Sequence, residues 1–595
     1  MGNGPSYDTI IRHGRWFDGT GAPSAVRTIG IIGGRVAAVT PYELDDTGCP
    51  QVIDAAGKWV LPGFVDIHTH YDVEVLDGPG LPESVRHGVT TVLIGSCSLS
   101  TVHVGGRDAG DLFGRVEAIP REHVIAAVDS ARTWNSAEGY VSALEARPLG
   151  PNIAAFLGHS DIRTATMGLD RATRTEMRPT SGEQAEMERM LDEALDAGFI
   201  GLSSQQLLFD KIDGDTCRSR TLPSTFAKPR ELRRLKNLVR RRGRVLQSGP
   251  DITNPANLIS QVAQSLPMLR KKLKTSLLSA ADIKANPFAI AALGPVARLV
   301  NRFGADFRWQ HLPVPFEVYA DGIDLVVFEE FGSGAAALHL RDSVERDALL
   351  QDEEYRRRFR KEYDSTFGVR VWHRDFFDAE IVACPDESVV GKSFGQVGLD
   401  RGGLHPVDAF LDLVVEHGTK VRWRTTISNH RPEVLKKLAR DDGIQMGFSD
   451  AGAHLRNMAF YNFGLRLLRH VHDAERDGRP FMTIERAVHR LTGELADWYD
   501  IDAGHLRIGD RADLVIVDPD HLDERLDSYA ESPVPQYGGL PRMVNRHDDA
   551  VSAVLIGGRT VVRDGVPTPV LGTERTGSFL RAGQRTPARA VAYAG

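Results

Sequence analysis

Residues 62–72 read Pro62-Gly63-Phe64-Val65-Asp66-Ile67-His68-Thr69-His70-Tyr71-Asp72. A Pro-Gly turn releases a short apolar run, and the run ends on two histidines one residue apart. On a strand, residues i and i+2 project from the same face, so both imidazoles can reach one cation. Two histidines alone are weak grounds for a metal site; at the end of an apolar strand that follows a turn they become strong ones.

Seven more short apolar runs follow, with helical stretches between them: TTVLIGSC (90–97), IAAFLGHS (153–160), FIGLSSQ (199–205), RVLQSG (244–249), KTSLLS (274–279), VRWRTTIS (421–428) and IQMGFSDAG (444–452). Together with GFVDIHTH (63–70), they predict eight βα units closing into a parallel barrel, with chemistry at the C-terminal ends of the strands. Before the fourth run, Ser181 and Gln184 have capping-box spacing, and Met187, Met190, Leu191, Ala194 and Leu195 form one apolar face that Gly198 ends. The arginine-rich helix before the fifth run hides a stripe of Leu232, Leu235, Leu238 and Val239, so its charges read as a solvated face.

Both ends of the chain alternate β-type runs with glycine turns, as in DTIIRHGRWFDGTG and AVSAVLIGGRTVVRDG. Neither end has a core of its own, so the two are expected to pair. The expected fold is α/β: a (β/α)8 TIM-like barrel over 62–498, with a small β-sandwich domain built from 1–61 and 499–572. A large, mostly helical insertion at 280–420, between the sixth and seventh strands, is expected to cover the barrel mouth, and 573–595 reads as a loosely held tail. Trp309, His311, Trp372 and His373 lie in that insertion and read as core or rim.

Composition narrows the function. The 595 residues carry 72 Lys+Arg against 80 Asp+Glu, a net charge of −8 with no basic footprint for nucleic acid. Four dispersed cysteines suit a reducing cytoplasm, and no apolar stretch approaches the ~20 residues of a membrane span. The expected partner is a small-molecule substrate, with neither nucleic acid nor membrane, met by a cytoplasmic homo-oligomer.

Three other strand ends carry polar residues: Cys97 on the second, His159 on the third and Asp450 on the eighth. Two imidazoles, a thiolate and a carboxylate form a zinc donor set. Each residue also has a plainer reading: Cys97 as a small buried hydrophobe, Asp450 as a helix N-cap, His159 as packing.

These pieces resemble the amidohydrolase superfamily, and within it the N-acyl-D-amino-acid deacylase (D-aminoacylase) branch. The resemblance runs through IRHGRWFDGTGAP, PGFVDIHTHYD, HGVTTVLIGSC, GHSDIRTATMG, AGFIGLSS, GFSDAGAH and LRIGDRADLVIVDP, in that order. It implies that His68 and His70 bind zinc, that Cys97 is the sulfur ligand, and that Asp450 is ligand and general acid–base. The branch usually places a histidine at the end of the fifth strand and another at the end of the sixth, with a lysine after the latter for a substrate carboxylate. Here those stretches are Leu246-Gln247-Ser248-Gly249 and Ser276-Leu277-Leu278-Ser279, without His or Lys. One zinc per chain is therefore expected rather than two.

Other groups must then meet the substrate. The candidates are His159, Arg163, Gln247, His454 and Arg456, with Arg424 and His430 as further cations near strand ends and the loop within 201–223 as pocket lining. The expected reaction is hydrolysis of a linear amide, such as an N-acyl amino acid, by metal-activated water. The alternatives are a metal-dependent lyase, decarboxylase or isomerase on the same barrel, or a non-catalytic binding protein with a degenerate metal site.

Overall fold

A computed structural model describes residues 6–215, 217–251, 255–267, 270–365 and 370–584. Eight parallel strands form the barrel: β1 (Phe64–Asp66, continued by His68–Thr69), β2 (Val89–Ile94), β3 (Asn152–Gly158), β4 (Gly201–Gln205), β5 (Val245–Gly249), β6 (Lys274–Leu277), β7 (Asp306–Gln310) and β8 (Ile444–Gln445, continued by Phe448–Ala451). Each pairs with the next in chain order. Phe448 pairs with His68, Ile67 N–H donates to the Gly447 carbonyl at 2.6 Å, and His70 N–H to that of Ala451 at 2.7 Å. β8 thus returns to β1 and closes the ring. β2 through β5 are buried at every residue, as strands covered on both faces must be.

The seventh strand differs from expectation. Residues 306–310 supply it, pairing with both β6 and β8. Arg422–Ser428 instead runs antiparallel between Phe316–Asp321 and Glu380–Ala383 in a separate three-stranded sheet. The physical reason is legible in hindsight: Arg422 and Arg424 alternate with Trp423 and Thr425, the pattern of a sheet with one wetter face rather than of a barrel strand. The insertion consequently begins after β7 and lies between β7 and β8, not between the sixth and seventh strands at 280–420.

The insertion has its own core, in which Phe328, Trp372, Phe376, Phe394, Phe410 and Trp423 are buried together. Phe376 and Phe410 stack at 4.7 Å. His373 meets Asp378 at 2.7 Å. Trp309 and His311, by contrast, belong to the barrel, on and just after β7.

The two ends of the chain build one nine-stranded sheet. Leu514–Val517 sits between Trp59–Pro62 and Val551–Ile556, and Thr9–Trp16 and Ala25–Ile32 continue beyond Trp59–Pro62. Ile11, Ile29 and Ile31 from one half share a core with Leu514, Ile516 and Leu555 from the other. The described part of the expected tail is not loose: Ile153 N–H donates to the Ser578 carbonyl at 2.9 Å, Leu580 N–H to that of Ile153 at 2.7 Å, and Phe579 and Leu580 are buried. Residues 585–595 of that tail lie outside the described residues.

The helix before β4, Ser181–Asp196, starts one residue earlier than its sequence suggests. Thr180 and Glu183 form the capping box, while Gln184, Met187, Leu191, Ala194 and Leu195 face inward. The arginine-rich helix Pro229–Arg241 buries Leu232, Leu235, Leu238 and Val239 as expected. Among the described residues no helix is long and apolar enough to cross a membrane.

Candidate metal centre

The C-terminal ends of β1, β2 and β8 meet at one point. His68, His70 and Cys97 offer ligand atoms that all lie within 4.8 Å of one another. Asp450 Oδ1 stands beside them, 3.2 Å from His70 Nε2 and 3.6 Å from His68 Nε2. The two histidines are buried, whereas Cys97 and Asp450 keep part of their surface open, so the cluster faces outward through these two.

Backbone geometry serves this convergence. Cys97 (φ 51), Ser98 (φ 70) and Asp450 (φ 61) all adopt the left-handed region, which residues other than glycine seldom occupy outside functional sites. Gly452 (φ 92) could not be otherwise: a Cβ there would stand 2.7 Å from the His70 carbonyl carbon. The GFSDAG turn can therefore pass directly over the His70 backbone. Ser449 Oγ donates to Asp66 Oδ2 beneath the site, tying β8 to β1.

The neighbours of the ring nitrogens set their roles. His68 Nδ1 lies 2.7 Å from Gln310 Oε1, and Gln310 Nε2 donates to Ser276 Oγ at 3.0 Å. With the amide oxygen accepting, the His68 proton sits on Nδ1 and the Nε2 lone pair faces Cys97 Sγ at 3.4 Å. His70 Nδ1 lies 3.3 Å from Glu117 Oε1, close enough for an ion pair but without an aligned hydrogen bond. Gln247, at the fifth strand end, accepts from Cys97 N–H at 3.1 Å and donates to Ser96 Oγ at 3.3 Å. Ser276, on the sixth, bonds Gln445 and Gln310 and lies 3.1 Å from the Tyr499 hydroxyl. These neutral groups are bonded to one another or to the second strand's end.

Burial and charge set the protonation pattern. Burial pulls His68 down to about 4, keeping it neutral. Burial also raises Asp450, but the hydrogen bond and charge of His70 outweigh it and hold the carboxyl well below the usual carboxylate range. Burial pushes the Cys97 thiol up to about 12 and Glu117 up to about 8, the latter against the pull of His70. A sulfur so placed becomes a thiolate only beside a cation, and the donor set fits one: two imidazole nitrogens, one sulfur and an adjacent carboxylate.

The remaining sequence candidates are distributed differently. His454 is buried, with Nε2 3.9 Å from Glu117 Oε2, and lines a cavity of about 380 Å3 with Arg115, Asp213, Glu329 and Arg341. Asp213 comes from the 201–223 loop. Arg456 also lines it but is held by Asp321 and Glu531, each at 2.8 Å. His159 and Arg163 do not join the metal cluster: His159 Nε2 meets Glu231 Oε1 at 2.9 Å and Arg163 pairs with the other oxygen of Glu231, so their charges are compensated inside the barrel wall. Gln247 is engaged with the Cys97 backbone, which makes it a support for the sulfur rather than a free substrate contact. Arg424 and His430 line a different cavity of about 400 Å3, with Arg424 paired to Glu380 at 2.8 Å.

Glu117 and Gln310 were missed in the sequence. Glu117 stands in a loop, RVEAIPREH, with no pattern around it. Gln310 could have been found, because Phe307 and Trp309 alternate with Asp306 and Arg308 in a short strand signature.

The sequence profile of the amidohydrolase family matches residues 51–244, which run from strands of the terminal sheet through β1 to the residue before β5. An N-acyl-D-glutamate deacylase of Alcaligenes xylosoxydans xylosoxydans is 34% identical over 197 residues, 33% of this chain and 37% of that one. Residues 51–244 are an amidohydrolase-family domain. D-aminoacylase of the same organism is 30% identical over 202 residues, 33% of this chain and 37% of that one. An uncharacterized protein of Mycobacterium tuberculosis is 56% identical to this chain, covering 97% of this chain and 96% of its own. The fold matches the crystal structure of N-acyl-D-glutamate deacylase from Bordetella bronchiseptica, solved with zinc and a phosphonate inhibitor. That match has a TM-score of 0.61 at 22% identity, over 97% of this chain and 100% of that one. D-aminoacylase matches with a TM-score of 0.60 at 20% identity, over the same shares.

Proposed function

We propose that this amidohydrolase holds a single zinc on His68, His70 and Cys97 and hydrolyses a linear amide of the N-acyl amino acid type. The observation that carries this reading is the convergence of those three ligand atoms with Asp450 Oδ1 alongside. Three protein ligands with one position open is the pattern of a catalytic rather than a structural zinc. When bound, the metal polarises the substrate carbonyl and makes water easier to deprotonate.

Asp450 supplies the proton chemistry. As a carboxylate beside the ligand atoms, it would take the proton of the attacking water and return it to the leaving nitrogen. His454 and Arg115 line the cavity next to Glu117, where they would orient the acyl amino acid. Gln247 and Ser276 support one metal over two, since neither is an imidazole and both are hydrogen-bonded within the barrel.

The test combines metal content with product analysis. Purified protein should contain about one zinc per chain and release free amine from an N-acyl amino acid. Asp450→Asn should keep the zinc and lose about 10²- to 10⁴-fold in kcat. A chain that takes up no metal, or an Asp450→Asn variant with unchanged turnover, overturns the mechanism.

A further inference from the structure

We propose that Glu117 is a positioning residue shared between the metal ligand His70 and the cavity histidine His454. The inference rests on the metal-site reading above and adds a residue to it. The Glu117 side chain is only 3% exposed, and its two oxygens face two different imidazoles: Oε1 lies 3.3 Å from His70 Nδ1 and Oε2 3.9 Å from His454 Nε2. The main chain is fixed at the same place, because His454 N–H donates to the Glu117 carbonyl at 2.7 Å. Ala118 and His454, one on each side of that contact, both have φ 50, a conformation that persists only where the surroundings hold it.

The chemical need is specific. An imidazole that ligates through Nε2 carries its proton on Nδ1 and requires an acceptor there, which fixes the ring plane and strengthens the ligand. His68 has Gln310 for this purpose. Among the described residues the buried His70 Nδ1 has no hydrogen-bond partner, and Glu117 is the carboxylate within reach. At 3.3 Å the two atoms are within hydrogen-bond distance, and what the contact lacks is alignment. The two histidines of the HxH pair are thus oriented by unlike groups, a neutral amide for His68 and a carboxylate for His70. Because the same carboxylate faces His454, the metal ligand and the cavity wall are aligned by one side chain.

The experiment measures metal binding rather than turnover. Zinc affinity of apo wild type, Glu117→Gln and Glu117→Ala is determined by competition with a chromophoric chelator, and the visible spectrum of each Co²⁺-loaded protein is recorded. Glu117→Ala should bind zinc about 10- to 100-fold more weakly and show an altered Co²⁺ spectrum. Glu117→Gln, whose amide oxygen still accepts from Nδ1–H, should lose less. Wild-type affinity and spectrum in both variants overturn the role of Glu117 while leaving the metal site standing. Should the alanine variant fail to fold, the nearly isosteric glutamine variant decides the question alone. A wild-type chain that binds neither metal overturns the metal-site reading itself.

Discussion

Gln310 Oε1 lies 2.7 Å from His68 Nδ1, linking the end of the seventh barrel strand to the first metal-ligand candidate. The contact fixes the His68 tautomer and its ring plane at once. Gln310→Leu keeps the volume and removes the acceptor, so zinc affinity should fall by about 10- to 100-fold. Chelator competition reads this directly, and an unchanged dissociation constant would show that packing alone orients the ring.

Gln247 and Ser276 occupy the ends of the fifth and sixth strands, where the branch this chain resembles usually carries histidines. Installing both, as Gln247→His with Ser276→His, should raise bound zinc from about one to about two per chain. Metal analysis after gel filtration checks the outcome. A double variant that still holds one zinc would place the limit in the surrounding backbone and not in the side chains.

His311 gives the protein an acid-sensitive element away from the ligands. Its Nδ1–H donates to the Ala280 carbonyl at 2.6 Å, Nε2 has no hydrogen-bond partner among the described residues, and burial pulls the group down to about 4 from an ordinary 6.5. Between those values the unfolded chain binds a proton that the fold refuses, so stability rises with pH from 4 to 6.5 and is lost on acidification. His311→Asn can keep the hydrogen bond to Ala280. Urea unfolding should show wild type losing about 2 kcal/mol more than the variant between pH 7 and pH 5. Parallel losses would mean that His311 is not buried neutral.

Trp423 is fully buried in the insertion's aromatic core, with its indole N–H donating to the Gly322 carbonyl at 2.7 Å. Trp423→Ala should cost about 3–5 kcal/mol. Because that core is separate from the barrel's, zinc stoichiometry should be retained below the new melting temperature. Loss of the metal together with the insertion would show that the two cores unfold as one.

Much of this could be read without coordinates, and the division follows range along the chain. His68, His70, Cys97 and Asp450 sit at the ends of apolar strands, so local pattern plus barrel geometry brings them together. The strand Asp306–Gln310 is obscured because it is short and interleaves Asp306, Arg308 and Gln310 with its apolar residues, and the longer run at 421–428 reads as the strand in its place. Glu117 joins His70 through a loop, a relation no periodicity encodes. The pairing of His159 and Arg163 with Glu231 is equally hidden, because it requires knowing that a helix between the fourth and fifth strands turns Glu231 inward.

The nine-stranded sheet interleaves the two ends of the chain, with Leu514–Val517 seated against Trp59–Pro62. During synthesis the early strand emerges long before its neighbour. At about 5–20 residues per second, the edge of Trp59–Pro62 waits roughly 20–90 s for its partner. Its flank on that side stays open to any other extended chain in the meantime. The barrel strands therefore all emerge before the sheet beneath them can be finished, and its closure waits for the last part of the chain.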